Sequence, residues 1–122
     1  VHRPNTAQWQ PIIFDVDGDG RQDIFVAVDF TENFLFMNQG NGSFAEMALQ
    51  AGVAQTWNDM GVAVGDYDND GDFDLYITHV HEQAPGERNV LLRNDSTPGQ
   101  PAFTDVTLAA GVADTSWGWG TT

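Results

Sequence analysis

Asp15-Val16-Asp17-Gly18-Asp19-Gly20-Arg21-Gln22-Asp23 and Asp66-Tyr67-Asp68-Asn69-Asp70-Gly71-Asp72-Phe73-Asp74 are two copies of one pattern, Asp-x-Asp-x-Asp-Gly-x-x-Asp, 51 positions apart. The match extends outward from them. Asn38 returns as Asn94 at an offset of 56, and Phe44 returns as Phe103 at 59. Ala51-Gly52-Val53-Ala54 returns as Ala110-Gly111-Val112-Ala113, also at 59. The offset grows only across turn-forming segments, at Ala84-Pro85-Gly86 and Thr97-Pro98-Gly99. Insertions confined to turns mark a structural repeat.

Each repeat reads as four strands. The first precedes the aspartate loop (Trp9 to Phe14, then Met60 to Val64), and the second follows it (Ile24 to Val28, Phe73 to Val80). The third is Phe34 to Asn38 or Asn89 to Asn94, and the fourth Ser43 to Met47 or Ala102 to Thr107. These stretches are rich in β-branched and aromatic residues and are separated by turn formers such as Asn38-Gln39-Gly40-Asn41-Gly42. Helical periodicity is absent. Ile24-Phe25-Val26-Ala27-Val28 is apolar on both faces, as a strand covered on both sides can be. Four-stranded sheets of about 50 residues, packed face to face, describe propeller blades; a β-solenoid, the main rival, has shorter repeats. The expected fold is all-β, with two four-stranded antiparallel blades and the opening strand of a third. Residues 1–59 form the first repeat with its loop at 15–23, 60–116 the second with its loop at 66–74, and 117–122 the start of another.

The loop spacing points to a cation. Calcium takes six to eight hard oxygen ligands at about 2.3–2.6 Å, and alternate side chains of a tight loop converge on one point. Asp15, Asp17, Asp19 and Asp23 are the expected side-chain ligands of one ion, and Asp66, Asp68, Asp70 and Asp74 of a second. Arg21 and Asp72, at position 7, contribute their carbonyls, while Gly20 and Gly71 permit the sharp bend. An EF-hand shares the first five positions but needs an acid at position 12 between helices. Val26 and Ile77 stand there, in strands, so the loop belongs to a β-hairpin. Aspartates that merely cap the turns are the bland alternative, but four like charges in one loop repel unless something neutralises them.

Charge agrees. Eighteen acids face four Arg and no Lys in 122 residues, a net charge of -14, and half of the acids lie in the two loops. Such a field opposes nucleic acid and anionic lipid as partners. Hydrophobic residues make up 41%, enough for a core rather than disorder. No apolar run reaches the roughly 20 residues of a membrane-spanning helix. With no Cys there is neither a disulfide nor a thiolate site; no signal peptide is visible, and a start at Val1 rather than Met is what a processed or excised segment would show.

Phe14-Asp15-Val16-Asp17-Gly18-Asp19-Gly20-Arg21-Gln22-Asp23-Ile24 and Gly65-Asp66-Tyr67-Asp68-Asn69-Asp70-Gly71-Asp72-Phe73-Asp74-Leu75-Tyr76 resemble FG-GAP (VCBS-type) repeats, the blades of integrin-α-like propellers. The segments Asn89 to Asp95, Phe103 to Thr107 and Ala110 to Gly120 are similar to the cartilage-acidic-protein/UnbV subgroup. The resemblance implies extracellular, calcium-stabilised propellers serving adhesion, matrix or ligand binding. Such propellers have about seven blades, against two repeats and a fragment here.

Other residues invite secondary readings. His79 and His81 could join His2 or Glu82 around a transition metal, or simply lie exposed at a strand end. Trp57, Trp117 and Trp119 stand before first strands, placed to wedge between blades or to stack on a sugar. Asn41-Gly42-Ser43 and Asn94-Asp95-Ser96 are glycosylation sequons. No catalytic residue is expected: there is no Cys, no Lys and no Gly-x-Ser-x-Gly motif, and the clustered acids are committed to calcium. Three functions remain in view. They are a binding or adhesion module for a protein or glycan, a protomer assembling with copies of itself into a ring or fibre, and a propeller-type polysaccharide lyase or hydrolase. Two blades cannot close a ring, so the chain is expected to complete its fold with another copy or with further parent sequence.

Overall fold

A computed structural model describes residues 7–56, 58–79 and 88–113. The elements run β1 (Ala7–Phe14), β2 (Asp23–Asp29), β3 (Phe34–Asn38), β4 (Phe44–Glu46), α1 (Ala48–Ala51), β5 (Asp59–Gly65), β6 (Asp74–His79), β7 (Val90–Asn94), β8 (Phe103–Asp105) and α2 (Thr107–Ala110). They build two four-stranded antiparallel sheets, ordered β1-β2-β3-β4 and β5-β6-β7-β8. The eight strands match the sequence reading to within a few residues at each end. The 117–122 strand, with Trp57, Trp117, Trp119, His2, His81 and Glu82, lies outside the described residues.

The sheets repeat in detail. β1–β2 shifts register between Gln8 and Gln10, and β5–β6 does the same between Asp59 and Gly61. What sequence periodicity missed is a single helical turn after each fourth strand. Four residues are too few to show a 3.6 period. Glu46 Oε1 accepts from Ala48 N (2.9 Å) and Asp105 Oδ1 from Thr107 N (3.0 Å), starting the two turns alike. Gly52 and Gly111 close them at φ 79° and 72°. A Cβ on Gly52 would stand 3.1 Å from Phe103 O of the second sheet, so this glycine also sets how closely the blades approach.

One core joins the blades. Alternate residues Phe14, Phe25, Ala27, Leu35 and Met37 of the first sheet pack with Val62, Leu75, Ile77, Val90 and Leu92 of the second, and Ala48, Ala51 and Val53 close the outer edge. The repeated Ala-Gly-Val motif is thus partly core, partly turn. Polar bonds cross the same boundary: Gln10 Oε1 accepts from Val62 N at 2.9 Å. By the repeat, Val64, Leu75, Ile77, Val90 and Leu92 on the inner face of the second sheet correspond to Ile13, Ile24, Val26, Phe34 and Phe36 on the first. There Ile13 is 62% exposed, and Phe34 and Phe36 stack with centroids 5.7 Å apart.

Candidate metal loops

Both aspartate loops connect the first two strands of their sheet, and both fold by the same hydrogen bonds. Asp15 Oδ1 accepts from Asp19 N (3.2 Å) and its Oδ2 from Gly20 N (2.8 Å); Asp66 repeats this with Asp70 N and Gly71 N, each at 3.1 Å. Asp19 Oδ1 accepts from Arg21 N at 2.8 Å and Asp70 Oδ1 from Asp72 N at 2.9 Å. Gly20 (φ 86°) and Gly71 (φ 98°) take the left-handed conformation that the bend requires. Asn69, at φ 64°, fills the left-handed position that Gly18 holds in the first loop.

The ninth-position aspartates are anchored differently, inside the protein. Asp23 Oδ2 accepts from Val16 N (3.0 Å) and Oδ1 from Asn38 N (2.7 Å); Asp74 accepts from Tyr67 N and Asn94 N, both at 2.8 Å. Each carboxylate therefore ties its loop to the third strand of its own sheet. Burial pushes both carboxyls above the usual carboxylate range, against the pull of these N–H groups. Asp17 and Asp19 push Asp23 further up, and Asp68 and Asp70 do so for Asp74. A cation in either loop would relieve that repulsion.

The carboxylates converge as well as cluster. One ligand oxygen each from Asp15, Asp17 and Asp19 lies within 4.8 Å of the others, and so do those of Asp66, Asp68 and Asp74. Oxygens bound to one calcium ion at about 2.4 Å are at most about 5 Å apart, so both sets fit a hard, oxygen-seeking divalent cation. The convergent groups are positions 1, 3 and 5 in the first loop and 1, 3 and 9 in the second. Asp23 and Asp70 fall outside them, although their counterparts Asp74 and Asp19, which accept the equivalent backbone N–H groups, lie inside. The Arg21 guanidinium contacts the Asp19 carboxylate, and its Nε donates to Asn38 O at 2.9 Å.

The two loops differ in what covers them. Asp17 is buried, whereas its counterpart Asp68 is exposed. The cover over Asp17 is the β7–β8 connection of the second sheet, where Gly99 N donates to Asp17 Oδ2 at 2.6 Å. Asn94 Nδ2 donates to Val16 O of the first loop (2.8 Å) and to Phe73 O of its own (3.0 Å). Sequence reasoning put Asn94 at the end of a strand and Gly99 in a turn, and placed neither against the first loop. The recurrence of Asn38 as Asn94 was the available signal, but it carried no role until the backbone placed both beside the loops.

Asn94 is 1% exposed with its Nδ2 committed twice, so a glycan there would displace both bonds. Asn41 is exposed, its Oδ1 accepting from Ser43 N and Oγ. His79 is wholly buried, Nε2 2.5 Å from Asp59 Oδ1. It does not lie exposed at the strand end. Among the described residues no convergent metal-ligating group includes it, and no helix is long and apolar enough to cross a membrane.

Residues 15–77 match the family model described as an FG-GAP-like repeat. Over 85 residues, 69% of this chain, the sequence is 44% identical to Cartilage acidic protein 1 of Mus musculus, 35% to that of Homo sapiens and 33% to that of Xenopus tropicalis. In each case the match spans 12% of the relative's length.

Proposed function

The chain belongs to the FG-GAP-like repeat family, and from that premise we propose that it is a calcium-stabilised, extracellular β-propeller module for binding or adhesion, without catalytic activity. One observation carries the reading: two loops 51 residues apart fold by the same hydrogen bonds and present converging aspartate oxygens. Asp15, Asp17, Asp19 and Asp23, with the Arg21 carbonyl, would hold one calcium ion. Asp66, Asp68, Asp70 and Asp74, with the Asp72 carbonyl, would hold the second.

Bound calcium supplies charge neutralisation. The chain's own residues do the rest: Asp15 and Asp66 shape each turn, and Asp23 and Asp74 fasten it to the adjacent strand. The hairpin end is then rigid enough to present a surface. Extracellular modules bind calcium with dissociation constants of roughly 10⁻⁴–10⁻³ M, which suits loops as open as 66–74. Two further points support the reading. The relatives are named for cartilage, and the buried acid–base pair Asp59–His79 has no exposed surface from which to reach a substrate.

Calorimetric titration with CaCl₂, together with a glycan and peptide array probed in calcium and in chelator, tests it. Uptake of two ions and calcium-dependent capture are expected; no uptake, or hydrolysis of an arrayed glycan, refutes it. The alternative of a self-assembling protomer draws on a separate observation. Ile13, Ile24, Val26, Phe34 and Phe36 repeat the face that the second sheet buries, so a further blade, from the parent protein or from another copy, would fit there.

A further inference from the structure

From the bonds that cross between the blades, we infer that the second blade sets the affinity of the first loop, so that an ion bound at Asp15–Asp23 clamps the two blades together. The inference rests on the calcium reading above and concerns residues outside either nine-residue loop.

The last residue of β7 and the β7–β8 connection grip the first loop at two adjacent points. Asn94 Nδ2 donates to Val16 O at 2.8 Å, and Gly99 N donates to Asp17 Oδ2 at 2.6 Å. Between these contacts the connection is held to itself. Ser96 N donates to Asn94 Oδ1 at 3.0 Å, and Thr97 and Gln100 exchange backbone bonds at 3.1 and 2.7 Å. The grip is therefore a stiff one. Asn94 also holds its own loop, with its Nδ2 on Phe73 O and its backbone N–H on Asp74 Oδ1. Both Nδ2 hydrogens are in use, one on each loop. Asn38, its counterpart, donates only within its own repeat, to Gln22 O at 3.2 Å.

The consequence is thermodynamic. With Oδ2 of Asp17 held by Gly99 and the preceding carbonyl held by Asn94, the carboxylate would lose less freedom on joining an ion's ligand set. Coupling of this kind is reciprocal. Whatever factor blade docking adds to ion affinity, the ion adds to blade docking. Asn94 is thus a positioning residue for an ion whose carboxylates all come from the other blade.

The test uses the full chain carrying Asp68→Ala, which leaves 15–23 as the intact loop, titrated calorimetrically with CaCl₂. Adding Asn94→Ala is expected to weaken the remaining site about five- to tenfold, the scale of one or two buried hydrogen bonds. Where Asn94→Ala fails to fold, Gly99→Ala replaces it. No atom lies within 4 Å of where that Cβ would sit, so its effect is confined to straining the φ +77° turn. Unchanged affinity in the folded variant overturns the inference. The reciprocal arm follows hydrogen exchange at the Gly99 amide. Calcium should slow it in Asp68→Ala but not in Asp19→Ala, and equal slowing in both also overturns the coupling. If the unsubstituted chain takes up no calcium, the calcium reading itself has failed, and this inference falls with it.

Discussion

His79 and Asp59 stand directly opposite each other across β5 and β6, both wholly buried, with Nε2 2.5 Å from Oδ1. They lie at the end of the hairpin away from the aspartate loop. Asn33, from the β2–β3 connection of the first blade, is buried near the Asp59 carboxylate, and its Oδ1 accepts from Val28 N at 3.0 Å. The matching register in the first sheet pairs Gln8 with Val28, so this polar contact is peculiar to the second blade.

Removing either member leaves a buried polar partner exposed to no water. Asp59→Ala and His79→Ala should each cost about 3 kcal/mol in urea denaturation. The double variant should cost at least about 1 kcal/mol less than their sum, because the second loss removes a group already stranded. Additive losses would show that the two side chains do not act as a pair.

Asp59 also gives the protein a pH signature. Burial raises its carboxyl above the usual value, while the hydrogen bond and charge of His79 and the neighbouring Asn33 side chain pull it down. A raised carboxyl binds its proton more tightly folded than unfolded. Its contribution to stability is therefore complete below about pH 4 and is lost as pH rises through the folded value. Asp59→Asn lacks that loss. In chelator, the variant should gain stability relative to the parent as pH rises above about 4, the ordinary carboxylate value. A difference that stays constant over this range contradicts the assignment.

In the second loop the three exposed acids are not equivalent. Asp68→Ala removes a convergent oxygen and should weaken calcium binding at least about tenfold. Asp72→Ala should change it by no more than about twofold, since Asp72 enters the turn through its backbone, its N–H donating to Asp70 Oδ1. Calorimetry on the two variants separates these outcomes, and equal losses would refute the loop geometry. Asp74→Ala differs from both. By stranding the N–H groups of Tyr67 and Asn94 it should cost about 2 kcal/mol even in chelator.

The strands, the blade pairing and the loop aspartates were legible because each leaves a local trace. Apolar runs of five, glycines at the bend and acids at every second position are all short-range signals. The helical turns at Ala48–Ala51 and Thr107–Ala110 were not, being shorter than the period that would reveal them. Nor was the reach of Asn94 to Val16, or of Gly99 to Asp17, legible. These pairs are 78 and 82 residues apart and depend on how one sheet lies against the next. The burial of His79 was not legible either, because a histidine near a strand end reads the same in sequence whether or not an acid such as Asp59 faces it from the paired strand.

The last prediction concerns the faces that the blades present outward. Phe14, Phe25, Ala27 and Leu35 of the first sheet are covered by Leu75, Ile77, Val90 and Leu92 of the second. The repeat of that covering face on the first sheet leaves Ile13 62% exposed, across Ile24 from Phe36, which stacks on Phe34. At the other end of the pair, Ala63, Tyr76 and Leu91 line a hollow on the second sheet, where the repeat puts the counterpart of Phe25 and Leu35. The two faces differ from each other and match across one molecule and the next, so contact between them is head-to-tail. Such contact closes into a ring or continues as a filament according to its rotation. Exposed apolar sheet faces of this kind favour association. Light scattering on the calcium-loaded 122-residue chain at micromolar concentration should therefore detect species larger than a monomer. Ile13→Glu, which places a charge on that apolar face, should return it to a monomer that still folds, at a melting temperature no higher than that of the assembled chain. A parent chain that is monomeric and unfolds cooperatively under these conditions would sink the idea.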